Sequence, residues 1–463
     1  MTAIVTSNFR VVNAENFKED VASAGTSIYV GIGKPDVWSL TLSDTTDTTP
    51  FVPVDALDSL GEAHQNLIGM KLIGSSDISH VVPRYTWTAS RVYIAWDSDD
   101  AAMFDKEFYI VTSEFKVYKC IKAGASGSSI QPTQTLTAPT GESDGYVWKY
   151  MYTVSVADAE KFLTTSYLPV KNIAASFYAG ADSAAEAALS EADYAQYLNQ
   201  KASRDSATAA GIERIEVTTP GTYSSTPTVT ISGDGTGATA TAVMTGSGSS
   251  QSVASITVSA KGTNYTITDI TFSSGDAAAR AVIAPHTGHG VRPIQELGAF
   301  FIALNSQLGG SDNTDLTVGN DFRQVTLIRN PQNAASPFAV ATATTLKALR
   351  SLDFTSGVNL ALFAVDEVIT GGTSGAKAFI AEIDAATGYI YYHQNDKSGY
   401  KHFVNGETIT GGTSSATGAL EGSNAIRASE TLAGSGDIIF LENRNPINRT
   451  ATQIEDIKVI IEF

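Results

Sequence analysis

At 463 residues the chain is longer than one hydrophobic core usually serves, so two or more domains or large insertions are expected. Its formal charge of −18 comes from 48 acidic against 30 basic residues with no Lys/Arg-rich run, which excludes the basic patch that phosphate neutralisation needs and, with it, direct nucleic-acid binding. The single Cys120 excludes an intrachain disulfide and a cysteine-cluster metal site, and a charged fraction of only 17% leaves a neutral, Thr/Ser/Gly-rich surface that suits β architecture and extensive protein contact.

The first residues, "MTAIVTSNFR", lack the charged start and apolar run of a secretory signal, and no apolar stretch approaches membrane-spanning length. The expectation is a protein made and kept in a cytoplasm, with no membrane partner. Residues 1–205 read as strands with short helices. "NAENFKEDVASAG" predicts a helix starting at Asn13 and stopping at Gly25, and Leu57, Leu60, His64, Leu67 and Ile68 fall at helical spacing. "EFYIVTSEFKVYKCIKAG" predicts two strands around a turn at Thr112–Ser113–Glu114, with Cys120 as a small buried hydrophobe. In "DGYVWKYMY" (144–152) a turn dipeptide precedes a period-two stripe of Tyr146, Trp148, Tyr150 and Tyr152, expected to pack within a sheet or at a subunit interface. A helix with a Ser183/Glu186 capping box comes next.

Composition then shifts. Residues 212–244 are short Val/Ile/Thr strands broken by Gly, Pro and Ser, and 254–283 repeat them, with Ile215 matching Ile256, Gly221 matching Gly262 and Tyr223 matching Tyr265. A second duplication shares "ITGGTS", with Ile369 matching Ile409, where glycine pairs between β-branched runs signal hairpins. The end, "IEDIKVIIEF", alternates as a half-buried strand. The division that results is 1–205, 206–284 (a duplicated β module), 285–338, 339–432 (the ITGGTS module) and 433–463.

Little in this pattern is chemical. Gly233, Gly235 and Gly237 lack the Lys-Ser/Thr and helix of a phosphate loop and predict a turn. Asp97, Asp99, Asp100 and Asp105 lack the Gly and Glu of an EF-hand and read as a solvated acidic turn, with weak calcium binding the alternative. His286 and His289 have no nearby Cys or His to complete a zinc site. No G-x-S-x-G elbow occurs. The sequence predicts no catalytic residues, no metal and no cofactor.

Five blocks in order, "AIVTSNFR" (3–10), "VVPRYTW" (81–87), "DGYVWKYMY", "FRQVTLIRNP" (322–331) and "IIFLENRNPI" (438–447), together with the C-terminal "IEDIKVIIEF", resemble the small dimeric baseplate wedge subunit of T-even-type contractile-tailed phages. The resemblance implies a mainly β fold with some α (α+β), a multi-layer β-sandwich core into which the two repeat modules are inserted. It also implies a homodimer that contacts other wedge proteins in the virion tail baseplate, is assembled in the host cytoplasm, takes part in the rearrangement on infection, and has no catalysis. Tail fibre or peripheral baseplate proteins are candidate partners of the inserts. A host-surface glycan adhesin and a tail-associated hydrolase are the rival readings. Tyr146, Trp148, Tyr150, Arg323, Arg329, Asn443, Arg444 and Pro446 are candidate interface or sheet-bracing residues; Asn443, Arg444 and Pro446 are expected to form a turn after a strand.

Overall fold

The computed structural model describes residues 3–173, 191–310, 312 and 315–463. It is mainly β with some α, built from several antiparallel sheets. The chain divides into two compact units, Met1–Asn16 with Ser79–Ala303 and Ile460–Phe463, and Phe17–Ile78 with Leu304–Val459.

In the first unit the strands Tyr109–Val111 and Lys116–Lys122 pair around the expected turn, and Val147–Thr153 joins Lys116–Lys122 on the other side. Tyr146, Trp148 and Tyr150 are fully buried with Tyr93, Tyr118 and Cys120 in one aromatic cluster, where Tyr146 stacks on Trp148 at 5.6 Å. Tyr152 leaves this stripe. Val117 pairs with Tyr152 and Tyr118 with Tyr150, so Met151 is an extra residue, and a one-residue bulge moves the end of the strand to the other face. Tyr152 packs instead with Phe108 and Leu168 in the neighbouring core.

The opposite face of the same strands buries two cations side by side, because Lys119 pairs with Lys149. Like charges in register require anions or dipoles. Lys119 Nζ lies 3.3 Å from Glu296 Oε2 and 3.7 Å from the centre of the Trp96 ring. Lys149 donates to the carbonyls of Ser203 and Thr137, and burial pulls its ammonium down to about 8. Burial works against the Glu296 carboxylate as well, but Lys119, His289 and the amide of Gly290 outweigh it and hold its pKa at about 2. His289, 3.7 Å from that carboxylate, has no hydrogen bond at either ring nitrogen, and burial together with the Lys119 charge lowers its pKa to about 4.

Residues 212–283 form a four-stranded sheet, ordered Thr236–Thr245, Ser252–Thr263, Ile212–Thr219, Ala278–Ile283, and a ribbon of Val229–Gly233 with Thr268–Phe272, around their own apolar cluster. The sequence-equivalent Ile215 and Ile256 pair with each other, as residues beside a local two-fold axis do. The copies also exchange carboxylates. Asp276 of the second accepts from the Thr222 amide of the first, and Asp234 of the first accepts from the Thr266 and Ile267 amides of the second. The glycines of "SGDGTGA" serve this turn, since a Cβ at Gly235 would lie 2.4 Å from the Tyr265 ring. Asp97 of the acidic segment pairs with Arg280 of the module. Among the described residues no group of three or more His, Cys, Asp or Glu could hold a metal ion.

The second unit contains a five-stranded sheet, ordered Thr345–Lys347, Leu67–Leu72, Ile28–Gly33, Asp321–Arg329, Asp437–Asn448, and a seven-stranded sheet holding both ITGGTS hairpins. Here too the equivalents pair, Thr370 with Thr410. Glu407 accepts from the amides of Thr373 and Ser374 in the first hairpin, and Glu367 from those of Thr413 and Ser414 in the second. The first glycine of each GG is fixed by this exchange, because a Cβ at Gly371 or Gly411 would come within 2.7 Å of the incoming carboxylate.

Two sequence expectations shift, and a third falls outside the described residues. The N-terminal helix spans Ser7–Ala22, since Thr6, not Asn13, caps it by accepting from the Phe9 amide. The helix Leu57–Gln65 stops before Leu67 and Ile68, which begin a strand. The Ser183/Glu186 capping box lies outside the described residues; the helix described after it is Glu191–Asp205. No described helix is long and apolar enough to cross a membrane.

Replacing Glu407 by Gln is expected to speed hydrogen exchange at Thr373 and Ser374 while sparing Thr413 and Ser414, and Glu367→Gln to do the reverse. The cost per carboxylate should be about 1.5–3 kcal/mol. The His289 pKa is depressed from 6.5 to about 4 on folding, so the unfolded chain takes up a proton that the folded chain refuses. Stability should fall by on the order of 3 kcal/mol as pH drops from 6.5 to 4, and unfolding midpoints measured against pH should lose that slope in His289→Leu.

Candidate functional site

Between the strand Ile28–Gly33 and the helix Leu57–Gln65 runs loop 34–56, which has no regular secondary structure. Irregular segments of this length within a compact domain are uncommon and usually functional. Its composition, Thr and Asp with a "PFVPV" core, offers no periodicity to organise it. Order comes from three strand residues that the sequence marks as candidates.

Arg323, in the strand Asp321–Arg329, has a side chain only 3% exposed and forks onto Asp47, with Nε to Oδ1 and Nη2 to Oδ2 both at 2.8 Å. It also donates to Asp321 at 2.9 Å and to the Pro35 carbonyl. Asp47 in turn accepts from the Trp38 amide at 2.8 Å. Burial opposes its charge, but the Arg323 fork and this amide hold its pKa below the ordinary value. Asn443 donates from Nδ2 to the Phe51 carbonyl at 2.9 Å and accepts from Gln324 at 2.9 Å. Arg444 acts through its backbone, its carbonyl accepting from Trp38 Nε1 at 2.8 Å; its guanidinium is partly exposed, 3.8 Å from Glu442.

The expected turn at 443–446 is strand. Asp437–Asn448 runs straight through it as the edge of its sheet. Phe322 pairs with Ile447 and Gln324 with Asn443, which leaves Arg444, Asn445 and Pro446 opposite Arg323 alone. A bulge on an edge strand is where proline is tolerated within a sheet. Arg329, at the other end of its strand, pairs with Asp20 at 2.8 Å and takes no part in the loop. Tyr146, Trp148 and Tyr150 belong to the first unit and lie wholly inside it.

The loop is pinned at its base by Asp36, a buried carboxylate that sequence reasoning missed. Lys34 Nζ is 2.8 Å from both of its oxygens, Lys397 Nζ bonds it and the Val37 carbonyl, and His393 Nε2 stands 3.4 Å away. Burial favours the protonated acid, yet the His393 contact and the two lysines keep Asp36 ionised, well below the carboxylate range. Trp38 packs edge-on against Phe51 at 5.5 Å.

With its backbone held this way, the loop turns apolar side chains to solvent: Leu40 is 85% exposed, Val52 83%, and Leu57 at the start of the adjoining helix 87%. Exposed apolar side chains grouped in this way are a feature of contact surfaces. The only hint of it in the sequence is the run of Phe51, Val52 and Val54 between prolines in otherwise polar chain.

This segment is similar to a structural component of a bacteriophage tail baseplate. The family model that matches residues 3–124, which include the whole loop, is Phage-Gp8, described as Bacteriophage T4, Gp8, and the match supports a Gp8-like baseplate wedge protein. The family is a structural one and not an enzyme family. No curated protein matches the chain.

Arg323→Ala would leave Asp47 without its main partner and should cost roughly 1.5–3 kcal/mol, with loop 34–56 becoming the first site of limited proteolysis. Arg323→Lys should not restore protection, since an ammonium cannot span both oxygens. Arg444→Ala, whose carbonyl remains in place, should resist protease and unfold like the unmodified chain.

Proposed function

We propose that this chain is a wedge subunit that assembles as a homodimer, joins other wedge proteins through the apolar face of loop 34–56, and takes part in the baseplate rearrangement on infection. The observation that carries the docking role is the pairing of a rigidly anchored backbone with solvent-facing Leu40, Val52, Val54 and Leu57 inside the family-matched segment. Pre-ordering matters because a loop fixed before encounter loses little conformational entropy on binding. A subunit contributes to a switch only through interfaces whose free energy differs between the two baseplate states. On this reading the two repeat modules, each with its own apolar cluster, are insertions that leave the wedge contacts untouched.

Light scattering on the purified chain, alone and mixed with the other wedge proteins of the same phage, tests this directly. The expected result is a dimer that enters a discrete larger complex, and Leu40→Asp combined with Val52→Asp should abolish entry while leaving the dimer. A trimer that ignores the wedge proteins and binds host glycans would contradict it.

A further inference from the structure

Beside the anchored loop lies a groove of about 380 Å³ within the second unit. Its walls are apolar and aromatic, from Trp38, Phe51, Pro53 and Leu441. Two buried acceptors in its polar lining are left unpaired. Asn66 and Gln324 are 2% and 6% exposed, and the side-chain oxygen of each has no hydrogen-bond partner. A buried acceptor left unpaired costs free energy that a donor would recover, so both are sites that a donor would stabilise.

The charges around the groove point the same way. Glu62 and Asp396 both line it, and burial first and the Asp396 charge second push the Glu62 carboxyl up. The lining cations Lys34 and Lys397 are engaged with Asp36. Asp396 accepts from a neutral group, the Tyr400 phenol, at 2.8 Å. A metal ion is a poor fit, because no described cluster supplies three His, Cys or carboxylate ligands. The group that suits unpaired acceptors, two mutually repelling carboxylates and aromatic walls is a planar, donor-only cation, a guanidinium.

We propose that this groove receives an arginine side chain from an extended segment of a partner protein. The partner is a protein segment because the groove opens beside the exposed Leu40 and Val52 and along the edge strand Asp437–Asn448, whose Leu441 and Asn443 line it. The segment is basic because Glu62 and Asp396 attract a cationic side chain, and it comes from a wedge partner and not a second copy because the proposed dimer contact lies apart from this loop. The proposal rests on the wedge reading, since it names the chemistry of a partner that docks at the same loop.

The test uses the full chain and a blocked, fluorescent peptide alternating valine and arginine, with a citrulline-for-arginine peptide as control, read by anisotropy. The arginine peptide should bind with an affinity that falls as salt rises, roughly tenfold more tightly than the citrulline peptide, and roughly tenfold more tightly than it binds Glu62→Gln. Equal binding of both peptides, no binding, or binding unchanged in Glu62→Gln would overturn the proposal. Asn66→Leu gives a second variant with the same expectation, and its far-ultraviolet spectrum shows whether it is folded. Co-assembly with wedge proteins in the absence of arginine-peptide binding would overturn the groove and leave the wedge role standing. Peptide binding without co-assembly would support the groove and count against the wedge role.

Discussion

Arg323 is buried and cannot give up its proton, so the chain must bring a carboxylate to it. Asp47, distant in sequence, meets that need, and in meeting it fixes a loop that has no hydrogen-bonded ladder of its own. The organisation of the surface depends on this. Once Asp47 is held, its second interaction fixes the Trp38 amide, Trp38 reaches the Arg444 carbonyl, and Phe51 closes against both Trp38 and Asn443. An interior charge requirement thus becomes an exterior shape, in which apolar side chains stand in water on a backbone that cannot retract them.

The same economy of charge runs through the molecule. The basic residues are few, and Lys34, Lys119, Lys149, Arg323 and Arg449 are placed inside. Each is answered by carboxylates or carbonyls from elsewhere in its unit: Lys119 by Glu296, Arg449 by Glu455 at 3.0 Å, Lys34 and Lys397 together by Asp36. The two repeat modules use the carboxylate in another way. In both, the halves of a duplication swap an acid, Asp234 for Asp276 and Glu407 for Glu367, to satisfy turn amides in the other half. A half-module would leave those amides unpaired, which gives a physical reason for two copies rather than one.

Much of this was legible in the sequence, and the features that escaped it share a cause. Period-two alternation located the strands around Thr112 and the buried face at Tyr146, Trp148 and Tyr150, because alternation reports burial directly. It misplaced Tyr152, because the Met151 bulge is set by pairing with a strand well removed in sequence, a register no local pattern contains. The duplications stand in the sequence at offsets of 40 and 41, whereas the reciprocal acids appear only once the copies face each other. Arg323, Asn443 and Arg444 stood out by their residue types and block positions, but their role could not be read there. Their partners Asp47, Trp38 and Phe51 lie in a stretch with no periodicity, and in Arg444 the working atom is a carbonyl that every residue possesses. Asp36 and the groove were invisible for the same reason, since burial of a charge is a tertiary fact.

If loop 34–56 is a docking surface ordered before its partner arrives, hydrogen exchange of the purified chain, before and after mixing with the wedge proteins, will show it. The Trp38 and Thr48 amides, already bonded within the loop, should be slow in the free chain, and the amides of residues 39, 40, 51, 52 and 54 should gain protection in the complex. Fast exchange throughout the loop in the free chain, or a complex that forms with no change there, would contradict a pre-ordered docking loop.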